Sequence, residues 1–365
     1  MSFIDSQRAG VSESDWTAAI VACCELRVAK IIDETHDARS IVFEIPAGLK
    51  ERFAYRPGQF LSFKIPYEGK ILVRSYSLSS SPDTDPEHKV TVKRVDDGLV
   101  SNLMNDELGV GDTLQVVPPA GRFVLGDESR GIALFAGGSG ITPSISILKS
   151  ALATTSRNVV MVYANRDDRS IIFKDELDEL ENHRPGRLRI THLLDSIQGF
   201  LTPETVRAVV SDDLARDFYM CGPAPFMDVV EHTLRDLGAQ RHGQLHIERF
   251  VSPHDPGTEV APVEVATDAV ADGVPDVITI VLDGKSHEVP YRAGDSVLAA
   301  VRQAGLDPPS SCEEGYCSCC MAKLAEGDVK MTVNDCLTPD LLAEGWVLTC
   351  QSRCQSRKIR IEYPD

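Results

Sequence analysis

Four cysteines carry the most specific chemical signal in this sequence. Cys312, Cys317 and Cys320 follow C-x4-C-x2-C spacing, and Cys350 stands well downstream. That is the spacing with which four thiolates hold a [2Fe-2S] cluster. Three neighbouring thiolates wrap one side of a small cluster and the distant fourth closes the other. Gly315, inside the loop, lets the backbone pass close to sulfur, where N–H groups can donate to it and tune its potential. The competing reading is a structural zinc site. Zinc ribbons usually present two C-x2-C knuckles, and one occurs here. Cys319 is an oddity between the ligands; spacing selects Cys320, since Cys319 would leave C-x1-C. A cluster of this kind carries one electron at a time, so the upstream chain is expected to supply electrons.

Several upstream segments fit that task. Arg74-Ser-Tyr-Ser77 sets a guanidinium fork for phosphate, a flat ring and a hydroxyl within four residues. Alone, it reads equally as a strand end with a surface arginine. Gly98-Leu-Val-Ser-Asn-Leu103 adds weight, because a glycine and a Ser/Asn pair opening a short helix suit a pyrophosphate. Gly137-Gly-Ser-Gly-Ile-Thr-Pro143 follows an apolar run and opens a helical one, the context of a dinucleotide loop. Pro143 stands where a Rossmann G-x-G-x-x-G would carry its third glycine, which disfavours an ordinary dehydrogenase. The plain alternative is a tight strand-to-helix turn. Cys221-Gly-Pro223 ends another short strand, where Cys221 by itself reads equally as a small buried thiol. In Arg166-Asp-Asp-Arg169, Asp167 or Asp168 would repel a ribose 2′-phosphate, whereas Arg166 and Arg169 would attract one. The reading favours NADH and leaves NADPH open.

These residues need elements to hold them. Six β-like runs from Glu25 onward, ELRVAKII through DTLQVVPP, predict a closed antiparallel barrel. From Gly131 apolar strands alternate with helical segments, which predicts a parallel α/β domain. Residues 251–275 read as a linker, and beyond them two strands, a helix and further strands predict a small mixed sheet around the cysteines. CMAKLAEGDVKM is expected to be one strand. The expected division is 1–24 lead-in, 25–128 barrel, 129–250 α/β domain, 251–275 linker and 276–365 cysteine domain. Net charge of −18 argues against nucleic acid, which calls for a basic footprint. No signal peptide and no membrane span are expected, and ten cysteines without an export signal predict a cytoplasmic protein with metal-bound or free thiols. Cys23, Cys24, Cys336 and Cys354 match no motif.

The order RSYS, GLVSNL, GGSGITP, CGP resembles the ferredoxin–NADP reductase superfamily over about Glu25 to Phe250, and a plant-type ferredoxin domain follows it. The resemblance implies a multidomain β + α/β + α+β chain: a flavin-binding barrel, a nucleotide-binding domain and a β-grasp-like [2Fe-2S] domain. It implies FAD contacts for Arg74, Tyr76 and Ser77, pyrophosphate contacts for Val100, Ser101 and Asn102, and Lys93 beside the flavin. Gly137, Gly138, Gly140, Thr142, Pro143 and Arg166 would serve the nucleotide. Cys221, with Gly222 and Pro223, would lie by the nicotinamide, and Glu248 and Phe250 near the flavin; Phe250 reads equally as plain core. Reductase-then-ferredoxin order is similar to electron-transfer components of multicomponent oxygenases. YRPGQFLSFKIP, LFAGGSGITPSISILKSAL and LLAEGWVLTCQS resemble the branch serving 3-ketosteroid 9α-hydroxylase, with the phenylacetyl-CoA epoxidase branch as rival. A relay from NADH through FAD and [2Fe-2S] to a Rieske or di-iron terminal oxygenase is therefore expected. An electron carrier without reductase activity and a stand-alone diaphorase are the other classes.

Overall fold

The structure is a computed structural model that describes residues 23–364 except 122, 127–128, 211–212, 240–243, 251–273, 307, 311–314, 316–319, 335–336 and 338. The expected lead-in and linker fall almost wholly outside the described residues, as do Cys312, Cys317, Cys319 and Cys336.

Six antiparallel strands form the first sheet: β1 (Cys24–Thr35), β2 (Ala38–Glu44), β3 (Phe60–Tyr67), β4 (Lys70–Ser77), β5 (His88–Lys93) and β6 (Thr113–Ala120). Their order is β4-β3-β6-β1-β2-β5. The outer strands meet just past β4, where Leu78 pairs with Val90. The expected barrel therefore closes. Alternating apolar residues such as Leu26, Val28, Ile41, Phe63, Val90 and Val116 fill its interior, as period-2 side-chain alternation requires.

Five parallel strands form the second sheet: β7 (Ile132–Gly137), β8 (Val159–Asn165), β9 (Leu188–Leu194), β10 (Asp217–Cys221) and β11 (Leu245–Glu248), ordered β11-β10-β7-β8-β9. β7, β8 and β10 are buried along their whole length, because helices cover both faces. The helix Ile141–Thr154 starts directly after the glycine loop, with Pro143 in its first turn. The helix Pro203–Val210 is capped by Thr202, whose Oγ1 accepts from the Thr205 N–H at 3.3 Å. Carboxyl ends of parallel strands are where such sheets bind ligands, and both Gly137 and Cys221 end their strands there.

The cysteine domain is a mixed sheet of β12 (Val277–Leu282), β13 (Lys285–Pro290), β14 (Met321–Glu326), β16 (Trp346–Leu348) and β18 (Arg360–Glu362), ordered β13-β12-β18-β14-β16. A two-stranded ribbon joins β15 (Val329–Met331) to β17 (Ser352–Cys354). The single strand expected over 320–331 is thus two. Gly327 breaks it at φ +90°, and a Cβ there would lie 2.0 Å from the Lys358 carbonyl oxygen. Strands β16 and β17 escaped the sequence reading, since three residues are too few to show a period.

Candidate functional site

On the barrel, β4 carries the R-x-Y-S segment. Arg74 and Tyr76 are half-buried and Ser77 is buried opposite Phe60. The Tyr76 ring packs 5.9 Å from that of Phe63, so one end of it belongs to the core and fixes its plane. The helix Leu99–Asp106 begins at Gly98, and no side chain caps it. Its first-turn backbone N–H groups form the kind of positive helix end that receives phosphate. The side chains differ from expectation here. Ser101 Oγ accepts from the Val95 N–H at 3.1 Å and donates to the Gly98 carbonyl at 3.2 Å. Asn102 reaches the Val95 carbonyl and the Arg94 guanidinium, each at 3.4 Å. Both shape the turn, and Val100 is buried in the barrel core. Gly98 is required there, since a Cβ would meet Ser101 Oγ and Val95 Cβ at 2.7 Å each.

In the α/β domain the glycine loop and the Cys-Gly-Pro segment are packed backbone to backbone. A Cβ on Gly140 would lie 2.0 Å from the Cys221 carbonyl oxygen, and one on Gly137 would lie 2.8 Å from Pro223 Cδ. A Cβ on Gly222 would in turn lie 3.0 Å from the Gly137 Cα and N. Motifs far apart in sequence thus form one floor. Gly138 takes φ +52°, and its carbonyl accepts from the Tyr163 hydroxyl at 3.1 Å. Thr142 is buried and donates to the Ser139 carbonyl at 3.0 Å, which holds the loop's shape. Cys221 is fully buried, in register with Ala136 on one side and Glu248 on the other. Burial, and after it the Glu248 carboxylate, push its thiol well above the ordinary range. A neutral thiol stands there. Phe250 is 43% exposed, which rules out the plain-core reading of it.

In the cysteine domain β14 and β16 run antiparallel with Met321 opposite Leu348, which brings Cys320 and Cys350 to the same end. Thr349 ties the two segments, donating through its N–H at 3.1 Å and its hydroxyl at 2.9 Å to the Cys320 carbonyl. Cys320 and Cys350 are buried in one apolar cluster with Leu298, Met321 and Leu348. Gly315 takes φ +87°, and a Cβ on it would lie 2.9 Å from the Val333 carbonyl oxygen, so the backbone at this residue packs tightly against that segment. Two motif thiols converging beside a loop that needs glycine fit a cluster site.

Residues 25–125 match the oxidoreductase FAD-binding domain family, residues 134–232 the oxidoreductase NAD-binding domain family, and residues 280–355 the 2Fe-2S iron-sulfur cluster binding domain family. The chain is 42% identical over 341 residues to the ferredoxin reductase component of 3-ketosteroid-9-alpha-monooxygenase from Rhodococcus rhodochrous, covering 93% of this chain and 96% of that protein. It is 33% identical to a subunit of 1,2-phenylacetyl-CoA epoxidase from Escherichia coli (strain K12), covering 90% and 94%. Among solved structures it is similar to phthalate dioxygenase reductase, at 25% identity and TM-score 0.58, covering 93% of this chain and 98% of that one. The chain belongs to this family of oxygenase reductase components. It is an oxidoreductase with FAD-binding, NAD-binding and [2Fe-2S]-binding domains, and the zinc reading of the cysteines falls. Among the described residues no helix is long and apolar enough to cross a membrane.

Two residues of this reductase's nucleotide region carried no sequence signal. Asn165 ends β8; its amide is 4% exposed and lies near the Tyr163 hydroxyl, yet completes no hydrogen bond of good geometry among the described residues. A buried amide left so costs about 1–3 kcal/mol. It shares a face of β8 with Tyr163, whose hydroxyl reaches the glycine loop. Asp37, on the turn between β1 and β2, faces Lys93 at 3.6 Å and Arg166 at 3.3 Å. Burial opposes its charge, but the Thr35 hydroxyl, Lys93, His36 and Arg166 together hold the carboxyl below its ordinary range. Only the fold brings a barrel turn to the nucleotide sheet.

Proposed function

We propose that this reductase takes electrons from NADH and delivers them to a terminal oxygenase, the Rieske oxygenase of a 3-ketosteroid 9α-hydroxylase. One observation carries the choice of oxygenase: identity of 41–42% to three ketosteroid-9-alpha-monooxygenase reductases, against 33% to the phenylacetyl-CoA epoxidase protein and 30–31% to glycine betaine monooxygenase reductases.

When bound, FAD supplies the change from two-electron hydride chemistry to single electrons, and a [2Fe-2S] cluster carries those singly. The chain's own residues do the rest. Arg74 and the uncapped helix end at Gly98 hold flavin phosphates, Tyr76 offers its fixed ring to the isoalloxazine, and Ser77 offers a hydroxyl. Val100, Ser101 and Asn102 contribute backbone to that phosphate site, and Lys93 stands between flavin and nucleotide. Gly137, Gly138 and Gly140 let the NADH pyrophosphate approach the helix that starts at Ile141, whose first turn Thr142 and Pro143 shape. Arg166 reads the adenosine ribose. Cys221, Gly222 and Pro223 border the nicotinamide with a neutral, buried thiol, which excludes water and adds no charge beside the hydride. Glu248 and the exposed Phe250 border the flavin from β11 and its end. Cys312, Cys317, Cys320 and Cys350 hold the cluster, and Gly315 leaves room for the loop around it.

Anaerobic reduction by NADH, followed by visible absorption and low-temperature EPR, tests the relay: flavin bleaching and a one-electron cluster signal are expected. Cys350→Ala should remove the EPR signal and support of the oxygenase while NADH–ferricyanide activity persists, which separates a relay from a stand-alone diaphorase. Turnover of a 3-ketosteroid with a purified Rieske oxygenase is expected. Electron delivery to a di-iron epoxidase alone would overturn the steroid assignment.

A further inference from the structure

We propose that Asp37, a barrel residue, is the group that discriminates against a nucleotide 2′-phosphate, because it holds Arg166 and Lys93 in ion pairs beside the glycine loop. The inference rests on the nucleotide-site reading given above and adds to it a residue from another domain.

The carboxylate is fixed in place. Thr35 donates its hydroxyl to Asp37 at 2.7 Å and accepts from the Asp37 N–H at 3.3 Å, and the Arg94 N–H donates to the Asp37 carbonyl at 2.8 Å. Ala38, the next residue, pairs with Lys93 in the β2–β5 ladder. Asp37 therefore cannot swing away from the cations it faces. Its side chain is 15% exposed, Lys93 is 21% exposed, and Arg166 is 62% exposed. His36 adds a third basic group at 3.8 Å.

The cations are placed to meet a nucleotide. Lys93 Nζ lies 3.9 Å from where a Gly138 Cβ would stand, so its ammonium reaches the loop's rim. Arg166 directly follows β8, the strand paired with β7, and the residue there commonly reads the ribose 2′ position. An unpaired arginine at that point would favour a 2′-phosphate. Here its charge is answered by Asp37.

The acids that the sequence alone nominates for this task are otherwise engaged. Asp167 accepts from the Ser170 hydroxyl at 2.8 Å and shapes the turn, and Asp168 pairs with Lys174 at 2.5 Å. The acid that forms an ion pair with Arg166 comes from the barrel, while Asp167 acts on that arginine at longer range. A bound 2′-phosphate would compete with the Asp37 carboxylate for Arg166, whereas a free 2′-hydroxyl leaves the ion pair intact.

The test is calorimetric binding of ADP-ribose and of 2′-phospho-ADP-ribose to the holoprotein, alongside kcat/KM for NADH and NADPH. Asp37→Asn, matched to the unsubstituted protein in flavin absorbance and melting, should move the preference toward the 2′-phosphate by roughly five- to tenfold, the range expected for removing one charge from a partly exposed ionic site. Adding Arg166→Ala should abolish that gain. Arg166→Ala alone should shift the preference by less than Asp37→Asn does, because Asp37 already offsets part of the arginine's charge. An unmoved preference in Asp37→Asn, a gain that survives loss of Arg166, or a large loss from Arg166→Ala alone would each overturn the proposal. Failure of the unsubstituted protein to bind ADP-ribose would remove the nucleotide-site reading as well, so the two failures are distinct.

Discussion

Gly140→Ala is the sharpest perturbation of the nucleotide floor. The added methyl would fall 2.0 Å from the Cys221 carbonyl oxygen, 2.4 Å from its carbonyl carbon and 2.8 Å from the Gly222 nitrogen. Real Cβ contacts do not fall below 3.0 Å, so the two segments must part by about 1 Å. Backbone stands on both sides, and no side chain can rotate to relieve the clash. Overpacking of this kind costs about 1–3 kcal/mol, and the upper end applies where nothing flexible yields. A loss of ~3 kcal/mol lowers the melting temperature of a domain this size by roughly 10 °C. With the nicotinamide bordering Cys221 as proposed, a shift of about 1 Å there would also slow hydride transfer by ~100-fold. Gly140 has φ −63° and ψ −7°, which alanine adopts freely, so the effect is steric alone. Gly138→Ala is the internal control for stability. There φ is +52° and the nearest atom to a new Cβ is Lys93 Nζ at 3.9 Å, so the cost is backbone strain of about 1–2 kcal/mol without displacement. Calorimetric melting and stopped-flow flavin reduction by NADH read both variants. A Gly140→Ala protein that melts with Gly138→Ala and keeps the native reduction rate would refute the argument.

Other outcomes follow from the same geometry. Asp217, fully buried, is bonded to Arg130 at 2.6 Å and to the buried Arg157; Asp217→Asn should cost about 3–5 kcal/mol in chemical denaturation by leaving buried guanidinium charge uncompensated, and a loss under about 1 kcal/mol would contradict this. Cys221 should resist iodoacetamide in the folded protein and react on unfolding, as mass spectrometry would read; because its folded pKa is raised, the stability linked to it is present below the ordinary thiol range and lost as pH rises through the folded value. Labelling of native Cys221 at the rate of the unfolded chain would disprove its burial. Asp37 has the opposite sign: its folded pKa is lowered, so its contribution of about 0.5–1 kcal/mol is present above the ordinary carboxylate pKa and lost as pH falls through the folded value. The stability difference between the unsubstituted protein and Asp37→Asn should therefore vanish in acid, and a difference that persists there would show a cause other than charge.

The barrel, the parallel sheet and the cysteine domain were legible because apolar periodicity and turn residues act locally. Period-2 runs such as ELRVAKII read as β1, a continuous apolar run reads as β7, and glycine spacing reads as a phosphate loop whatever lies around it. Cysteine spacing is likewise a local statement about which thiols can share a cluster. What needed three dimensions were relations between distant segments. That Gly140 admits no methyl depends on Cys221, and that Arg166 is ion-paired depends on Asp37 in another domain. Ser101 and Asn102 were expected at a pyrophosphate site, and that their side chains hydrogen-bond within their own turn is set by where Val95 and Arg94 sit after folding. The break at Gly327 is imposed by the Lys358 carbonyl, which no local pattern encodes. By itself the sequence determined the longer elements and the chemistries they carry, though not the three-residue strands β16 and β17, because backbone propensity and side-chain type are properties of neighbours along the chain. The tertiary structure decided which groups meet, because steric exclusion and ion pairing act at a few ångströms regardless of separation in sequence.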